Sequence, residues 1–199
     1  MMMMKSAQKR MPVVRDVFIF GTPVLREKAK KVTKIDAFIE QLVEDMLATM
    51  RARNGVGLAA QQVGETVSVC VIDTASRSHD NEEAENPDVP MPLVMINPEI
   101  TETAGSATCE EGCLSFPEIF VSVSRAKEVT AVFKDLQGKL QKVRAKGLLS
   151  RAVQHELDHL NGMLLVDRMS AIKRISLSGR LKKLKKTAAE KPAGPDRAK

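Results

Sequence analysis

Two histidines stand four residues apart in this chain, and a glutamate directly follows the first of them. They form the string His155-Glu156-Leu157-Asp158-His159, and the chain has only three histidines in all. Residues four apart lie on one face of an α-helix, so both imidazoles could bind one metal ion. Glu156 could then accept and return the proton of a metal-activated water. The alternative is an ordinary helix with two solvated or core histidines.

The residues around this string favour a helix with a pocket on its metal-binding side. Gly147 opens the stretch, and Gly162 is a natural C-terminal stop three residues after His159. At about 100° per residue, Leu148 and Ala152 fall on the same stripe as the two histidines. This predicts a hydrophobic substrate pocket beside the metal. The alternative is that both residues belong to the core face of the helix.

A catalytic metal site normally has three protein ligands and one position for water, so a third ligand is needed. A metzincin would carry a third histidine at the position of Leu165. A thermolysin-like enzyme would need a downstream glutamate, but the only one beyond Asp167 is Glu190 in the lysine-rich tail. The third ligand must therefore come from upstream, where the candidates are His79, Cys70, Cys109 and Cys113.

Cys113 is the best of these four candidates. His79 lies in a polar, acidic stretch that indicates a loop, and Cys70 lies in an apolar run typical of a buried strand. Cys109 and Cys113 together could form half of a zinc site or a disulfide. However, the chain has no second cysteine pair, and a small disulfide-stabilised protein would contain far more cysteine. Cys113 itself stands in a segment bracketed by a glycine and a proline.

Three sequence blocks together resemble the peptide deformylase family. They are GVGLAAQQ at residues 55–62, EGCLS at residues 111–115 and QHELDHL at residues 154–160, in the family's order. The resemblance spans roughly Val13 to Arg168. It implies an enzyme that removes the formyl group from the N-terminal formyl-methionine of nascent polypeptides and releases formate.

The resemblance also implies a role for each residue of the site. Cys113, His155 and His159 would bind the metal, and Glu156 would be the general acid and base. The side-chain amide of Gln62 and the backbone N–H of Leu114 would donate hydrogen bonds to the oxyanion. The family's metal is characteristically Fe²⁺, with Zn²⁺ or Ni²⁺ able to occupy the same site. By donor type alone, one thiolate and two imidazoles suit zinc at least as well.

Further residues are expected to bind the substrate or to support the site. Arg125 is expected to contact either the substrate or a structural carboxylate, and Glu111 to hold its loop by hydrogen bonds. Gln154 and Asp158 are candidates for orienting the ligands. Phe120 takes a position where many family members have arginine, so contacts to the peptide beyond methionine are expected to differ. The predicted methionine pocket is lined by Val56, Gly57, Leu148 and Ala152.

The predicted fold class is α+β, because a run of strands precedes a late helix. Apolar residues at helical spacing predict a helix over residues 36–53. Strands are expected near residues 67–73, 93–96, 120–123, 129–135 and 140–145, with a hairpin turn at residues 134–139. The resemblance implies antiparallel β-sheets surrounding a central metal-ligand helix, with a C-terminal helix after it.

Length and composition predict one catalytic domain between two less ordered ends. With 199 residues, 43% of them hydrophobic, the chain can bury a core as a single unit. We expect a flexible N-terminus (residues 1–12), a catalytic domain (residues 13–186) and a disordered basic tail (residues 187–199). An acidic, proline-containing segment at residues 76–92 is expected to be a lengthened loop.

Charge is concentrated at the C-terminal end of the chain. The formal net charge is +6, but residues 170–199 carry ten lysines and arginines against two acidic residues. Apolar residues within this segment predict a basic amphipathic helix that ends near Lys186. The ordinary interpretation is a solvated face. The functional one is contact with ribosomal RNA, which the resemblance also suggests.

The cellular location is predicted to be cytoplasmic, since free thiols in a metal site need a reducing compartment. There is no run of eighteen apolar residues that would predict a membrane span.

Two other functions remain open at this point. One is a metallopeptidase that cuts internal peptide bonds. The other is a ribosome-associated protein without catalytic activity that keeps a metal for structural reasons. The missing downstream ligand argues against the peptidase, and Glu156 beside an open three-ligand site argues against the structural protein.

Overall fold

The computed structural model describes residues 10–75 and 86–190. Within these ranges the chain forms seven β-strands and four α-helices. The strands are β1 (Gly57–Ala59), β2 (Val69–Ile72), β3 (Leu93–Ala104), β4 (Ala107–Cys113), β5 (Phe116–Arg125), β6 (Glu128–Lys134) and β7 (Leu140–Lys146). The helices are α1 (Ala37–Ala52), α2 (Gly147–Leu160), α3 (Ala171–Ser176) and α4 (Ser178–Glu190).

A five-stranded antiparallel sheet, in the order β1-β2-β3-β6-β7, separates α1 from α2. Because successive side chains of a strand point to opposite faces, β2 contributes to both sides of the sheet. Val69 and Val71 pack in the cluster that contains the buried face of α1. Cys70 and Ile72 pack in the cluster that contains Leu149 and other residues of α2. This burial on both faces explains why the sequence of β2 is apolar throughout.

Helix α1 agrees closely with the helix predicted from the sequence. Asp36 is its N-cap, and its carboxylate accepts hydrogen bonds from the backbone N–H groups of Phe38 and Ile39. Such a cap satisfies donors that have no partner within the helix. Apolar residues at helical spacing form the buried face of α1, namely Ile39, Leu42, Val43, Met46 and Met50.

Strands β4 and β5 form a separate two-stranded antiparallel sheet on the other side of α2. The inward side chains of β5, including Phe116, Val121 and Val123, pack with Leu165 and with Leu181 of α4. Helix α2 therefore contacts the large sheet along one side and β4–β5 along the other. The predicted α+β class, with antiparallel sheets around the ligand helix and a C-terminal helix, is confirmed.

The strand predictions were incomplete in two ways. Strands β3 and β5 extend well beyond the predicted segments 93–96 and 120–123, and strands β1 and β4 were not predicted. Strand β1 has only three residues and follows a glycine-rich run, so it carries no alternating pattern. Strand β4 is polar and largely exposed, with Glu111 as its one buried residue. Neither strand therefore shows the apolar periodicity on which the prediction relied.

The C-terminal segment is two helices, whereas the prediction was one amphipathic helix ending near Lys186. A turn at Leu177 separates α3 from α4, and α4 continues to Glu190. Leu181 packs into the core, but Ile172 and Ile175 remain exposed. The turn lets α4 approach the body of the protein without burying α3. The rest of the predicted tail, residues 191–199, lies outside the described residues.

The other predicted flexible segments are described only in part. Residues 1–9 of the predicted N-terminus and residues 76–85 of the predicted loop lie outside the described residues. Within the described part, Arg10 donates a hydrogen bond to Asp45 of α1 at 2.5 Å, so contact with the domain begins before the predicted boundary at residue 13. Among the described residues, no helix combines the length and hydropathy needed to cross a membrane.

Candidate metal centre

Cys113, His155 and His159 lie together in the structure. One potential ligand atom from each residue lies within 4.8 Å of the others. The Cys113 Sγ is 3.2 Å from the Nε2 of His159. The two imidazole ring centroids are 5.1 Å apart, as expected for residues one helical turn apart on the same face. Of the three candidates for the third donor that lie among the described residues, Cys113 is the one that the structure brings to the histidines.

The end of strand β4 positions the sulfur donor. Gly112 pairs with Phe120, but the next residue, Cys113, pairs with Phe116, so the register shifts between them. Such an irregularity redirects the side chain that follows it. A Cβ atom on Gly112 would lie 2.8 Å from the Phe120 ring, which explains why a glycine precedes the cysteine.

The two other cysteines lie elsewhere in the described part of the chain. Cys70 is fully buried in the sheet, and Cys109 lies farther along β4 with an Arg151 N–H 3.6 Å from its sulfur. His79 falls outside the described residues.

Glu156 directly follows His155 on α2 and lies in a closely packed position against Gly57. Its side chain is only 3% exposed, and its Oε2 has no hydrogen-bond partner among the described residues. Burial raises the pKa of Glu156 to about 7. A Cβ atom on Gly57 would lie 2.3 Å from the Oε1 of Glu156, so only glycine fits beside this carboxylate. The arrangement is suited to proton exchange near neutral pH.

A buried ion-pair network holds His155. Its Nδ1 lies 3.1 Å from the Oε2 of Glu111, and Arg125 donates two hydrogen bonds to the same carboxylate. Burial alone would lower the pKa of His155, but hydrogen bonds with Cys113 and Glu111 raise it well above its ordinary value. Burial would raise the pKa of Glu111, but His155 and Arg125 lower it. The carboxylate thereby orients the imidazole through its far nitrogen.

The structure shows which partners the charged residues of this network contact. The buried guanidinium of Arg125 contacts Glu111 and Asp158, in agreement with the structural alternative for this residue, and a contact with the substrate stays a prediction. Asp158 in turn accepts hydrogen bonds from Arg168. Glu111 was predicted only to hold its loop. Its position two residues before the cysteine of the EGCLS block is the sequence signal that could have indicated contact with the site.

Gln154 does not orient a ligand. Its side-chain amide accepts a hydrogen bond from the backbone N–H of Ala126 at 3.0 Å and donates one to the Ala126 carbonyl at 3.0 Å. It also donates to the carbonyl of Ser150, at 3.0 Å. Gln154 therefore fastens α2 to the segment between β5 and β6.

His159 differs from His155 in its burial and in the direction of its pKa shift. It is 1% exposed, and burial, together with the charges of His155 and Arg125, lowers its pKa well below its ordinary value. It is therefore neutral and keeps a nitrogen lone pair available for a metal. Its Nδ1 is buried and has no hydrogen-bond partner in the described part of the chain. One sulfur and two imidazole nitrogens that converge in this way fit a divalent ion such as Zn²⁺ or Fe²⁺.

The side-chain amide of Gln62 lies beside Cys113 and Ser115. Its Oε1 accepts a hydrogen bond from the backbone N–H of Ala59 at 2.9 Å, which fixes the orientation of the amide. Its Nε2 then points to the Oγ of Ser115 at 3.2 Å and the Sγ of Cys113 at 3.6 Å. The neighbouring Leu114 packs on Gly55, where a Cβ atom would lie 2.9 Å from its Cδ1. Both predicted oxyanion donors therefore adjoin the cysteine.

The residues predicted to form the methionine pocket differ in their surroundings. Gly57 touches Glu156, as described above. Val56 and Leu148 are half-buried, whereas Ala152 is buried within the core cluster that α2 shares with the sheet. The burial of Ala152 agrees with the alternative that this residue belongs to the core face of α2. The methionine pocket as a whole stays a prediction.

The fold and the site define a class before any relative is considered. An α+β domain whose central helix presents two histidines and a buried glutamate to a nearby cysteine is the arrangement of a metal-dependent hydrolase. The sequence profile of the family described as polypeptide deformylase matches residues 14–175. The chain belongs to this family, and it is accordingly an enzyme of the hydrolase class.

Individual relatives give the same result. The chain is 47% identical to a peptide deformylase of Dictyoglomus thermophilum over 156 residues, which cover 78% of this chain and 93% of the relative. It is 42% identical to one of Mesorhizobium japonicum over 182 residues, which cover 91% and 97%. The crystal structure of a peptide deformylase from Legionella pneumophila matches with a TM-score of 0.76 at 37% identity, covering 90% of this chain and 100% of that one. A plant peptide deformylase matches with a TM-score of 0.80 at 31% identity, covering 98% and 100%.

Proposed function

We propose that this enzyme removes the formyl group from the N-terminal formyl-methionine of nascent polypeptides and releases formate. The single observation that carries the proposal is the convergence of three donor atoms, one of them from His155, which Glu156 directly follows on α2; one oxygen of that buried carboxylate has no partner among the described residues. Membership of the deformylase family supports it. A structural metal site would have no use for a buried carboxylate with a pKa of about 7.

Cys113, His155 and His159 would hold one divalent metal ion. We expect Fe²⁺ in the cell, with Zn²⁺ or Ni²⁺ able to take its place in preparations, because the donor set suits all three ions. When bound, such an ion polarises a carbonyl oxygen and makes water a better nucleophile at neutral pH. The three residues contribute by fixing the geometry, and Glu111 fixes the tautomer of His155.

Glu156 would move the proton during the reaction. As water attacks the formyl carbon, the carboxylate accepts the water proton and later gives it to the departing amine nitrogen. The new C–O bond and the broken C–N bond yield formate and a free N-terminal methionine. General acid–base catalysis of this kind contributes about 10²–10⁴-fold in rate. A pKa of about 7 suits a group that must both accept and donate a proton.

Two donors would stabilise the negative charge that develops on the formyl oxygen. These are the Nε2 of Gln62 and the backbone N–H of Leu114. The hydrogen bond from Ala59 to Gln62 holds the amide in place before the reaction, so little reorganisation is needed. Loss of one such donor typically costs about 3–4 kcal/mol of transition-state stabilisation.

The methionine side chain would lie against Val56, Gly57, Leu148 and Ala152. Helix α2 carries the last two of these residues, Gly57 begins β1, and Val56 directly precedes it. An unbranched thioether fits a narrow apolar space.

The proposed reaction is tested by measuring formate released from formyl-Met-Ala-Ser. The enzyme is freed of metal and reloaded anaerobically with Fe²⁺, Ni²⁺ or Zn²⁺. We expect release by the wild type and a fall of at least about 100-fold in kcat for Glu156→Gln. The matched control, Glu128→Gln, changes a half-buried glutamate of β6 that pairs with Arg144 and should leave kcat unchanged.

Two outcomes would refute the proposal. Equal activity of Glu156→Gln and the wild type would indicate that the metal is only structural. Cleavage of unformylated peptides at internal bonds, without formate release, would indicate a peptidase.

We also propose that the C-terminal helices contact ribosomal RNA while the nascent chain is processed. Arg174, Arg180, Lys182, Lys183 and Lys186 are exposed on α3 and α4. Phosphate groups would favour this charge, and such binding weakens steeply with salt. Co-sedimentation with ribosomes at increasing salt tests the contact. Lys182→Glu combined with Lys183→Glu should weaken it while leaving hydrolysis of the tripeptide unchanged, and unaltered co-sedimentation would refute it.

A further inference from the structure

Gln61 is a buried glutamine that directly contacts the main chain of a proposed metal ligand. It is fully buried in the short turn Ala60–Val63 that follows β1. Its Nε2 donates to the backbone carbonyl of His159 at 3.0 Å and to the backbone carbonyl of Glu27 at 3.3 Å. Because both partners are carbonyl oxygens, the orientation of the amide is unambiguous. The amide group therefore joins the end of α2 to the N-terminal segment.

Gln61 contacts the C-terminal end of α2, where backbone carbonyl groups need partners from outside the helix. The last four carbonyl groups of an α-helix have no partner within the helix. The carbonyl of Leu160 accepts from the backbone N–H of Ala29, and the carbonyl of His159 accepts from Gly162 and from Gln61. These bonds fix the final turn of α2, which carries the His159 imidazole. A displacement of this turn would move Nε2 of His159 away from Cys113.

The same two residues each carry a second buried polar atom. The Oε1 of Gln61 and the Nδ1 of His159 are both buried without a hydrogen-bond partner among residues 10–75 and 86–190. Nε2 of His159 faces the Cys113 sulfur, and a metal bound at this nitrogen would leave the hydrogen of the neutral ring on Nδ1, which is then a donor. Oε1 of Gln61 is an acceptor. A ligating histidine almost always donates its far N–H to a carboxylate, a carbonyl or a water.

We propose that Gln61 is the positioning residue for His159, holding its carbonyl directly and its Nδ1–H through one buried water. The water would satisfy an acceptor and a donor that are otherwise buried without partners, which is the usual role of buried water. Gln61 would thus do for His159 what Glu111 does for His155. The inference deepens the proposed function and rests on the metal site proposed there.

The test measures metal affinity instead of activity. Metal-free wild type and Gln61→Met are titrated anaerobically with Co²⁺ against a competing chelator, and the thiolate-to-metal absorption is recorded. We expect the Co²⁺ dissociation constant to rise about 10–100-fold in Gln61→Met, with altered d–d bands. Gln137→Met, an exposed glutamine in the β6–β7 turn, is the matched control and should bind as the wild type does.

A second measurement reports on the histidine itself. In Zn²⁺-loaded protein with ¹⁵N-labelled histidine, the Nδ1–H signals of His155 and His159 are compared. In Gln61→Met the His159 signal should be lost through faster exchange with solvent. The His155 signal, protected by Glu111, should remain and serves as the internal control.

The outcomes separate the two proposals. Wild type that fails to bind Co²⁺ through a thiolate would overturn the metal site and this inference with it. Normal wild-type binding together with unchanged affinity and spectra in Gln61→Met would overturn only the role of Gln61, even if its melting temperature falls. Should Gln61→Met not fold, Gln61→Asn keeps the amide but shortens its reach, and the same loss of affinity is expected.

Discussion

Glu111 and Asp45 are both buried carboxylates bound by arginine, yet they belong to regions with different roles. Glu111 contacts Arg125, whose side chain is 4% exposed, and also His155 of the metal site. Asp45, on α1, contacts Arg10 and Arg15, whose side chains are 48% and 22% exposed. The carboxylates are alike, but Arg125 is buried, whereas Arg10 and Arg15 reach solvent.

The difference indicates what each group contributes. A buried ion pair is costly to break because the remaining charge stays in a poorly solvated place, whereas exposed partners can return to water. Asp45 also accepts from the backbone N–H of Val13, so it fastens the N-terminal segment to α1. Glu111 instead connects the charge network to a proposed metal ligand. We therefore expect the first region to affect stability and metal binding, and the second to affect stability alone.

Arg125→Met should have the largest effect on stability. Removing one partner of a buried ion pair typically costs about 3–5 kcal/mol, because here Glu111 would be left buried with too few partners. Urea unfolding of the metal-free protein measures the loss. Arg144→Met is the matched control, since its side chain is 68% exposed and pairs with Glu128 at the surface; it should cost about 0–1 kcal/mol. Equal losses in the two variants would contradict the comparison.

Asp45→Asn should have the next largest effect on stability and none on the metal. The amide keeps the shape of the carboxylate but loses the charge-assisted bonds from Arg10 and Arg15, which we expect to cost about 1.5–3 kcal/mol. Urea unfolding gives the stability, and Co²⁺ titration of the same variant gives the affinity. A reduced affinity for Co²⁺ would show that the second region also acts on the site.

Glu111→Gln should weaken metal binding, which Asp45→Asn should leave unchanged. Loss of the carboxylate that orients His155 should weaken metal binding about 10–100-fold, as is usual for residues that hold a ligating histidine. Competition with a chelator measures the change, and Asp45→Asn is the control on an equally buried acid. Unchanged affinity in Glu111→Gln would mean that the helix alone orients His155.

The sequence predicted the residues that converge on the site but not the residues that hold them. His155 and His159 could be placed together because helical spacing is a local rule, and their adjacency in the structure agrees with it. Arg125 lies 14 residues from Glu111 and 33 from Asp158, and these contacts depend on how β4–β5 packs on α2. Spacing in the chain carries no information about such packing. The partner of Arg125 was therefore left open.

Fold prediction succeeded and failed for a similar reason. Helix α1 and strand β2 have strong apolar patterns, because each buries a continuous face, and they were found with nearly correct bounds. Strand β4 has an exposed polar face and buries a charged residue, Glu111, so its pattern is that of a loop. The turn at Leu177 could not be seen either, since the division between α3 and α4 is set by which leucines reach the core. The spacing of apolar residues along the chain predicts a helix or strand only where that element buries a continuous face.

The pH dependence of the Asp45 cluster gives the smallest and most specific test of the comparison. Burial would raise the pKa of Asp45, but hydrogen bonds from Val13, Gln41, Arg15 and Arg10 lower it below its ordinary value. A lowered folded-state pKa means that the cluster contributes its full stability above the unfolded pKa of about 3.9. That contribution is lost as the pH falls through the folded-state pKa.

We therefore expect the difference in unfolding free energy between wild type and Asp45→Asn to be constant from pH 7 to pH 5 and to shrink below about pH 4. Urea unfolding of metal-free samples at pH 7, 5 and 3.5 measures this difference. Glu111 titrates in both proteins, so its contribution cancels. A difference as large at pH 3.5 as at pH 7 would mean that shape, not charge, makes Asp45 hold the N-terminal segment. Asp45 would then act through its shape and Glu111 through its charge, in addition to the difference in the exposure of their arginine partners.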